Sequence, residues 1–86
     1  MTFRVSDHAA SELERRSIPR QLLDELLSGP QQVVAASGGR KAYQSKITFA
    51  GSRIMLLRAI VDDREDPPAV VTVYRTSKID KYWSQS

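Results

Sequence analysis

Apolar residues at helical spacing predict a first helix near the start of the chain. Ala9, Ala10 and Leu13 form an apolar stripe on one side of the segment. Ser6 stands just before this stripe and is a good N-cap residue. We therefore expect a helix over residues 7–16.

A second helix follows after a break in the chain. Its apolar side chains repeat at positions i, i+1, i+4 and i+5, and they are Leu22, Leu23, Leu26 and Leu27. Pro19 suits the first turn of this helix, and Gly29 followed by Pro30 is a stop signal. The two segments together predict a helical hairpin with one continuous apolar side, which we assign to the core.

From residue 31 onward, the pattern changes to the alternation that is typical of strands. We expect strands at 33–36, 41–49, 53–61 and 69–76, with turns at 37–39 and 50–52 and a charged, proline-containing loop at 62–68. Residues 2–5 are expected to be an extended lead-in. Residues 78–83 are expected to form one helical turn, in which Ile79, Tyr82 and Trp83 close an end of the sheet.

The third predicted strand has one wholly apolar face, made of Met55, Leu57, Ala59 and Val61. This face should lie against the helices, and Val71 and Val73 of the fourth strand should join it. The opposite face carries Arg58 between apolar neighbours. A charge in such a strand is costly unless it is paired or used, so Arg58 is either a functional cation or the partner of an acid on the helices.

The order of these elements predicts an α+β domain. Two N-terminal helices pack on one face of a four-stranded, mostly antiparallel sheet, and a short helical turn ends the chain. Residues 1–86 are expected to form a single domain, as the length of the chain implies. A chain of this length buries only about 60–65% of its unfolded surface, so its core should be small.

Composition excludes several classes of site. The chain has no cysteine and a single histidine, so disulfides, thiolate metal sites and histidine clusters are excluded. We expect no metal and no cofactor. The longest apolar run is too short to cross a bilayer, and no leader pattern opens the chain. We therefore expect no contact with a membrane and a cytoplasmic location.

Charge is distributed unevenly along the chain. The net charge is +3, and the cations between residues 31 and 61, where there is no acid, are Arg40, Lys41, Lys46, Arg53 and Arg58. A basic middle segment is the electrostatic pattern expected for a phosphate-backbone partner. It would also suit an acidic protein partner.

Cations and hydroxyl groups are expected to gather on the sheet face away from the helices. The set consists of Lys46, Arg58, Thr72, Tyr74 and Thr76, with Arg75 and Lys78 near the rim. Metal-free cleavage of RNA fits this set best. The substrate's own 2′-hydroxyl attacks the adjacent phosphorus, and the protein has only to move protons and stabilise the phosphate charge. The structural alternative is that threonine and tyrosine occur here as good strand formers.

His8 is a second candidate for proton transfer. It lies off the apolar stripe of the first helix, on a flank that it shares with Glu12 and Arg15. A neutral imidazole in this position could act as a base, and so could exchange protons with the substrate as Tyr74 could. The alternative is an exposed histidine with no catalytic role.

Several short motifs carry a resemblance that runs from about residue 7 to residue 83. They are His8-Ala9-Ala10 with Glu14-Arg15, then Ile18, the leucine-rich helix ending in Gly29-Pro30, the strand Val70–Tyr74, and Lys81-Tyr82-Trp83. In these motifs the chain resembles a small bacterial domain family grouped with the RelE/ParE toxin superfamily. More broadly, it resembles BrnT-like toxins and the barnase–EndoU–colicin–RelE fold.

The resemblance implies a RelE-like toxin of a toxin–antitoxin pair that cleaves RNA, including ribosome-bound mRNA, and binds a cognate antitoxin protein. His8 and Thr72 match positions of the family pattern. Arg58, Tyr74 and Lys78 correspond loosely to the strand cations and C-terminal tyrosine of ribosome-dependent members. The expected catalytic residues are thus His8, Arg58, Thr72 and Tyr74, and the expected substrate-binding residues are Lys46, Arg75, Thr76 and Lys78.

This chain is less basic than ribosome-dependent toxins, which leaves a nuclease of free RNA open. Two other hypotheses also remain. One is a toxin-fold protein that acts by binding, for example by ParE-like inhibition of a topoisomerase, and the other is a protein-interaction module without catalysis. A monomer or a small homo-oligomer is expected. The nuclease hypothesis requires an open anion-binding hollow on the sheet face away from the helices.

Overall fold

The computed structural model describes residues 2–85 of the chain. In chain order its elements are β1 (Arg4–Val5), α1 (Asp7–Arg15), α2 (Arg20–Ser28), β2 (Gln32–Ala35), β3 (Lys41–Phe49), β4 (Arg53–Asp62), β5 (Ala69–Thr76) and α3 (Ile79–Tyr82). Two short 3₁₀ turns, Ser37–Gly39 and Ala50–Ser52, precede β3 and β4. The strands form one sheet in the order β1-β5-β4-β3-β2. No helix within residues 2–85 has the length and apolar character to cross a membrane.

The general α+β class is confirmed, but the prediction of four strands is wrong. Arg4 and Val5, expected to be a lead-in, pair in parallel with Ala69 and Val70 of β5. The sheet is therefore five-stranded and mixed, although β2, β3, β4 and β5 pair with one another antiparallel, as predicted. A strand of two residues is too short to show an alternating pattern, so hydrophobic periodicity could not predict it.

Ser6 attaches the start of α1 to β5. Its Oγ accepts a hydrogen bond from the Ala9 main-chain N–H at 3.0 Å, as an N-cap does. The same hydroxyl donates to the Val71 carbonyl at 3.1 Å, and the Ser6 main-chain N–H donates to the Val70 carbonyl. The predicted cap is confirmed, and it also sets the position of α1 over the sheet.

The core lies between the two long helices and one sheet face. Its buried members are Ala9, Leu13, Ile18, Leu23 and Leu26 on the helical side and Leu57, Ala59, Val61, Val70 and Val73 on the sheet. Burying each of the larger side chains contributes about 1.5–3 kcal/mol. The predicted core positions of α1, α2 and β4 are therefore mostly confirmed, and the helices cover a single face of the sheet. Ala10, which was predicted to lie on the apolar side of α1, is instead exposed, because it is rotated by about 100° from Ala9 around the helix. Met55, at the start of the predicted apolar face of β4, is only half-buried.

A bulge in β5 corrects one predicted core position. Ile60 pairs with Thr72 and Val61 pairs with Val70, so Val71 has no partner residue on β4. The extra residue resets the alternation of the strand. As a result Val70, with no exposed surface, takes the core position that was predicted for Val71, which is only half-buried.

Asp62, the last residue of β4, is a buried carboxylate that bonds to Arg64. Asp62 is 8% exposed, and it accepts hydrogen bonds from the Arg64 main-chain N–H, Nε and Nη2 at 3.1, 2.9 and 2.8 Å. These bonds to Arg64, with a smaller contribution from Arg40, hold the pKa of the Asp62 carboxyl at about 2, below its ordinary value of 3.8. The carboxylate thus stabilises the folded state.

The double role of Ser6 predicts a loss of stability in Ser6→Ala. The variant should lower the free energy of unfolding by about 1–2 kcal/mol, because it removes a cap and a bond to β5. The measurement is urea denaturation. Ser11→Ala, at an exposed position of the same helix, is the matched control and should stay within about 0.5 kcal/mol of wild type. Equal losses in both variants would contradict the role assigned to Ser6.

The lowered pKa of Asp62 predicts acid sensitivity. The stabilisation should be fully present above the unfolded pKa near 3.8 and should be lost as the pH falls towards the folded pKa of about 2. Asp62→Asn should therefore be less stable than wild type at neutral pH, and the difference should shrink between about pH 4 and pH 2. Urea denaturation across this range measures it. Asp24→Asn, at an exposed carboxylate of α2, is the control, and a difference that does not change with pH would contradict the assignment.

Candidate functional site

Four polar side chains cross the sheet in one row on the face away from the helices. In register they are Gln32 of β2, Gln44 of β3, Arg58 of β4 and Tyr74 of β5. Directly opposed residues on adjacent strands point to the same face, so the four strands bring these groups side by side. We call this set the polar row.

Hydrogen bonds connect the whole polar row. The Gln44 Nε2 donates to Gln32 Oε1 at 2.8 Å, and the Arg58 Nε donates to Gln44 Oε1 at 2.9 Å. The Arg58 Nη1 donates to the Tyr74 hydroxyl. Gln44 has no exposed surface and Arg58 is 7% exposed. The bonds within the row therefore replace the hydrogen bonds to water that these side chains lose on burial.

The charge of Arg58 has no acidic partner among residues 2–85. The ion pairs of this part of the chain involve other cations, so the alternative of a salt bridge to an acid on the helices is wrong. Its protein partners, Gln44 and Tyr74, are neutral groups. A buried cation held only by neutral groups is costly, and its remaining N–H groups can receive an anion.

The C-terminal segment lies over the polar row. We call residues 79–85 the tail. The ring of Tyr82 lies 4.1 Å from the Arg58 Cζ, and it meets the ring of Tyr74 edge-on at 6.3 Å. The Tyr82 carbonyl accepts a hydrogen bond from Gln44 Nε2 at 3.0 Å. The sheet face that was expected to be open is therefore covered by the chain's own aromatic residue.

Three further contacts hold the end of the tail. Gln32 donates from Nε2 to the Ser84 carbonyl at 2.9 Å, and its Oε1 accepts from the Ser84 N–H at 3.0 Å. The Lys46 Nζ lies 4.2 Å from the centre of the Trp83 ring, which is a cation–π contact. Tyr82 and Trp83 thus cover one face of the sheet. The prediction that they close an end of the sheet is wrong.

Two of the predicted catalytic residues, Arg58 and Tyr74, are members of the polar row, and Thr72 lies beside it on the same face. Thr72 pairs with Ile60, two positions along the strands from the pair Arg58 and Tyr74. Thr76 shares this face as well, opposite Leu56. Lys78 is exposed, and its main-chain N–H donates to Thr76 Oγ1 at 3.1 Å.

Arg75 lies apart from the polar row. It alternates with Tyr74 and Thr76 and so belongs to the helix-covered face of β5. Its Nη1 donates to the Arg16 carbonyl at 2.6 Å, and its guanidinium lies 5.2 Å from the ring of Phe49. Arg75 therefore attaches the end of α1 to the sheet, and the structure does not bring it to the other predicted substrate-binding groups.

His8 forms part of a second charged cluster, on α1. Its Nε2 lies 3.8 Å from Glu12 Oε1, and its side chain is 65% exposed. Arg15 and Arg16 both bond to the Glu12 carboxylate, at 2.8 and 2.7 Å, and they lower the pKa of Glu12 against the effect of burial. The flank predicted for His8 is confirmed, but α1 lies on the opposite sheet face, so His8 cannot reach Arg58 in this arrangement.

The two tyrosines beside Arg58 differ in their acidity. Burial raises the pKa of the Tyr74 phenol, although Arg58 partly opposes this shift. Burial also acts to raise the pKa of Tyr82, but Lys81, Tyr74 and Arg58 together lower it below its usual value. Tyr74 accepts its bond from Arg58, and the contact between the two phenols raises the pKa of Tyr74 and lowers that of Tyr82. Tyr74 is therefore the phenol of the pair that more firmly keeps its proton.

Sequence reasoning missed Gln32 and Gln44 as site residues. One signal was available for Gln44, because it and Arg58 are equidistant from Gly51 in the hairpin that joins β3 and β4. Counting outward from this turn would have paired the two residues. The same signal existed for Gln32, because it and Gln44 are equidistant from Gly38 in the predicted turn that joins β2 and β3.

Part of the predicted basic stretch is neutralised. Lys41 Nζ lies 2.6 Å from Asp63 Oδ2, and Arg40 Nε lies 3.8 Å from Asp62 Oδ2. Among residues 2–85, no group of three or more acids, histidines or cysteines is placed to hold a metal ion.

Comparison with known proteins identifies the family. Residues 5–75 match the family described as "Domain of unknown function (DUF4258)", and the chain belongs to this family. The matched segment includes Gln32, Gln44, Arg58 and Tyr74 but ends before the tail. Neither a search of curated proteins nor a search of solved structures found a match.

The hydrogen bond between Arg58 and Tyr74 predicts different effects for two tyrosine substitutions. Tyr74→Phe should lower the free energy of unfolding by about 1.5–3 kcal/mol, because it removes a hydrogen bond to a buried charge. Tyr43→Phe is the matched control, because Tyr43 lies on the helix-covered face against Phe3 and its hydroxyl bonds to no other described residue. It should change stability by less than about 0.5 kcal/mol. Urea denaturation measures both, and equal effects would contradict the importance of the bond.

Proposed function

We propose that this protein is a toxin-type endoribonuclease of a bacterial toxin–antitoxin pair, and that Arg58 is its phosphate-binding residue. The observation that carries the proposal is the guanidinium of Arg58. It is buried, it has no carboxylate partner among the described residues, and it is held in position by Gln44 and Tyr74. A pre-positioned cation of this kind suits the phosphate of a substrate, because arginine can bind phosphate oxygens through two parallel N–H groups.

The proposed reaction needs no metal ion. The 2′-hydroxyl oxygen of one nucleotide forms a bond to the adjacent phosphorus, and the bond from phosphorus to the 5′-oxygen breaks. Arg58 stabilises the negative charge on the phosphate oxygens. Tyr74 donates its proton to the departing 5′-oxygen, while the proton of the 2′-hydroxyl leaves to water. The products are a 2′,3′-cyclic phosphate and a 5′-hydroxyl, and water then returns a proton to Tyr74.

The resemblance to RelE-like toxins supports RNA as the substrate, and the net charge of +3 suits a polyanionic partner. The same resemblance supports a cognate antitoxin protein as the second partner. His8 remains a predicted catalytic residue, but the position of α1 would require a separate contact with the RNA on the other side of the sheet. Thr72 and Thr76 flank the polar row and would contact the RNA backbone beside it.

A second candidate is a toxin-fold protein that acts by binding, as in ParE-like inhibition of a topoisomerase, without catalysis. The ring of Tyr82 over Arg58 favours this candidate, because an RNA phosphate reaches the face of the guanidinium under this ring only after the ring moves. Expression in a cell distinguishes the two candidates. A nuclease would damage RNA, whereas a topoisomerase inhibitor would damage DNA.

Arg58→Met tests the nuclease. Purified protein should cleave a labelled single-stranded RNA in the presence of a chelator, and Arg58→Met should cleave it about 100-fold or more slowly, because the phosphate loses its charge partner. Arg20→Met is the matched control, since Arg20 is an exposed arginine of α2 paired with Asp24, and it should keep wild-type activity. Circular dichroism should show that both variants are folded.

Several outcomes would contradict the nuclease. It fails if wild type and Tyr82→Ala both leave RNA intact, or if Arg20→Met loses as much activity as Arg58→Met. An RNA with a 2′-deoxy sugar at the cleavage position should resist cleavage, and cutting of this analogue would exclude the proposed attack. Growth arrest with intact RNA and an induced DNA-damage response would select the binding candidate instead.

A further inference from the structure

The tail contacts the polar row through two kinds of interaction that a bound nucleotide also makes. An aromatic ring lies on the guanidinium of Arg58, and a carbonyl oxygen accepts a hydrogen bond from the amide of Gln44. Proteins bind single-stranded RNA through similar contacts, with an unstacked base on an arginine plane or an aromatic ring and hydrogen bonds to the base edge. In this comparison the ring of Tyr82 takes the place of the base, and the main-chain carbonyl oxygen of Tyr82 takes the place of the exocyclic oxygen of the base.

We propose that the tail is an internal competitor for a nucleobase site, formed by Arg58, Gln44 and Gln32, and that single-stranded RNA displaces it. This inference rests on the proposed function, because it assigns to the same row its class of ligand and its regulation. The form with the tail in place is closed to RNA, and the form with the tail released is open.

Gln44 explains why the tail exchanges with a ligand rather than simply leaving. The side chain of Gln44 has no exposed surface, and its Nε2 donates both to Gln32 and to the Tyr82 carbonyl. Departure of the tail alone removes the protein acceptor of one of these N–H groups, and a water molecule has to be ordered there to replace it. A carbonyl oxygen of an incoming base restores the bond, so the ligand favours the open form.

The tail itself is weakly held. Its helix, α3, has four residues, and its first turn has no side-chain cap. Helices of this length are not stable by themselves, so the position of the tail depends on its contacts with the row. These contacts are the stacking of Tyr82, the cation–π contact of Trp83 and the bonds of Gln32 with Ser84.

The chemistry of the Gln44 amide also restricts the base. When the tail is released, the N–H that donated to the Tyr82 carbonyl needs another acceptor in the same position. Uracil, cytosine and guanine carry an exocyclic carbonyl oxygen, whereas adenine does not. The site should therefore bind oligouridylate and reject oligoadenylate of the same length. Duplex RNA should bind poorly, because its bases are stacked and their edges are paired.

Fluorescence of Trp83 can report whether the tail is in place. Trp83 is the only tryptophan of the chain, and its ring lies against the Lys46 ammonium group. Release of the tail moves this ring into water, so the emission of Trp83 should shift to longer wavelength. Saturating oligouridylate should produce this shift in the wild-type protein, and oligoadenylate should not.

Tyr82→Ala provides the decisive comparison. It removes the ring over Arg58 but keeps Trp83, so the emission without RNA should already be that of the released tail. Its affinity for oligouridylate should be about tenfold higher than that of wild type, because no competitor has to be displaced. Gln85→Ala, an exposed position in the same tail, is the matched control and should leave both emission and affinity unchanged.

Ser84→Pro is a second variant that leaves the aromatic residues intact. It removes the main-chain N–H that donates to Gln32. The residue before it, Trp83, already has the extended conformation that a following proline requires, with φ −74° and ψ 127°. This variant should also release the tail and raise the affinity for oligouridylate.

The outcomes separate this inference from the proposed function. RNA binding with equal affinity in wild type, Tyr82→Ala and Ser84→Pro would overturn the inference and leave the nuclease in place. So would weaker binding by Tyr82→Ala, or binding of oligouridylate to the wild-type protein without a change in Trp83 emission. Equal binding of oligoadenylate would overturn the assigned base class. Folded variants with a released tail that neither bind nor cleave any RNA would overturn the proposed function, and the inference with it.

Discussion

The buried guanidinium of Arg58 determines the arrangement of the second face of the sheet. A cation at this depth cannot rely on water, so each contact that reduces its cost must come from neighbouring strands or from the tail. Gln44 and Tyr74 supply two such contacts because the register of β3, β4 and β5 places them directly opposite, and Tyr82 supplies a third from above. The neutral character of these partners distinguishes the site from an ordinary buried ion pair and leaves its positive charge available to an anion.

The two faces of the sheet are covered in very different ways. One face is buried by α1 and α2 through a continuous set of aliphatic side chains, and Ser6 connects this layer to β5 through two hydrogen bonds. The other face carries the tail, whose helix has four residues and no side-chain cap. Local opening in proteins takes place where few apolar contacts must be broken. The tail is therefore the part of this fold that can move without disturbing the core, and it lies over the only predicted catalytic groups that the structure brings together.

The predicted catalytic residues lie in two separate centres. The polar row contains Arg58 and Tyr74, while His8, Glu12, Arg15 and Arg16 form a network on the outer side of α1. The sheet and the helical layer separate these centres, so a single small substrate cannot contact both. Arg75 belongs to neither, because it bonds to the Arg16 carbonyl and fixes the end of α1. A mechanism that uses His8 together with Arg58 would need a polynucleotide that passes around the edge of the sheet, whereas a mechanism confined to the polar row needs only the tail to leave.

Local patterns in the sequence were sufficient for the element boundaries, which agree with the structure to within one residue for the two middle strands and for α1. They also placed Arg58, Thr72 and Tyr74 on one face and the aliphatic residues of α1 and β4 on the other, because alternation and helical periodicity act within a few residues. The strand Arg4–Val5, the bulge at Val71, the attachment of Arg75 to α1 and the docking of the tail were decided by tertiary structure. Each of these depends on contacts between segments that are distant in the chain, and such contacts leave no periodic signal in either segment. The tail is the clearest case, since the sequence of Tyr82 and Trp83 predicts an aromatic end but only the registered row of Gln32, Gln44 and Arg58 determines where that end binds.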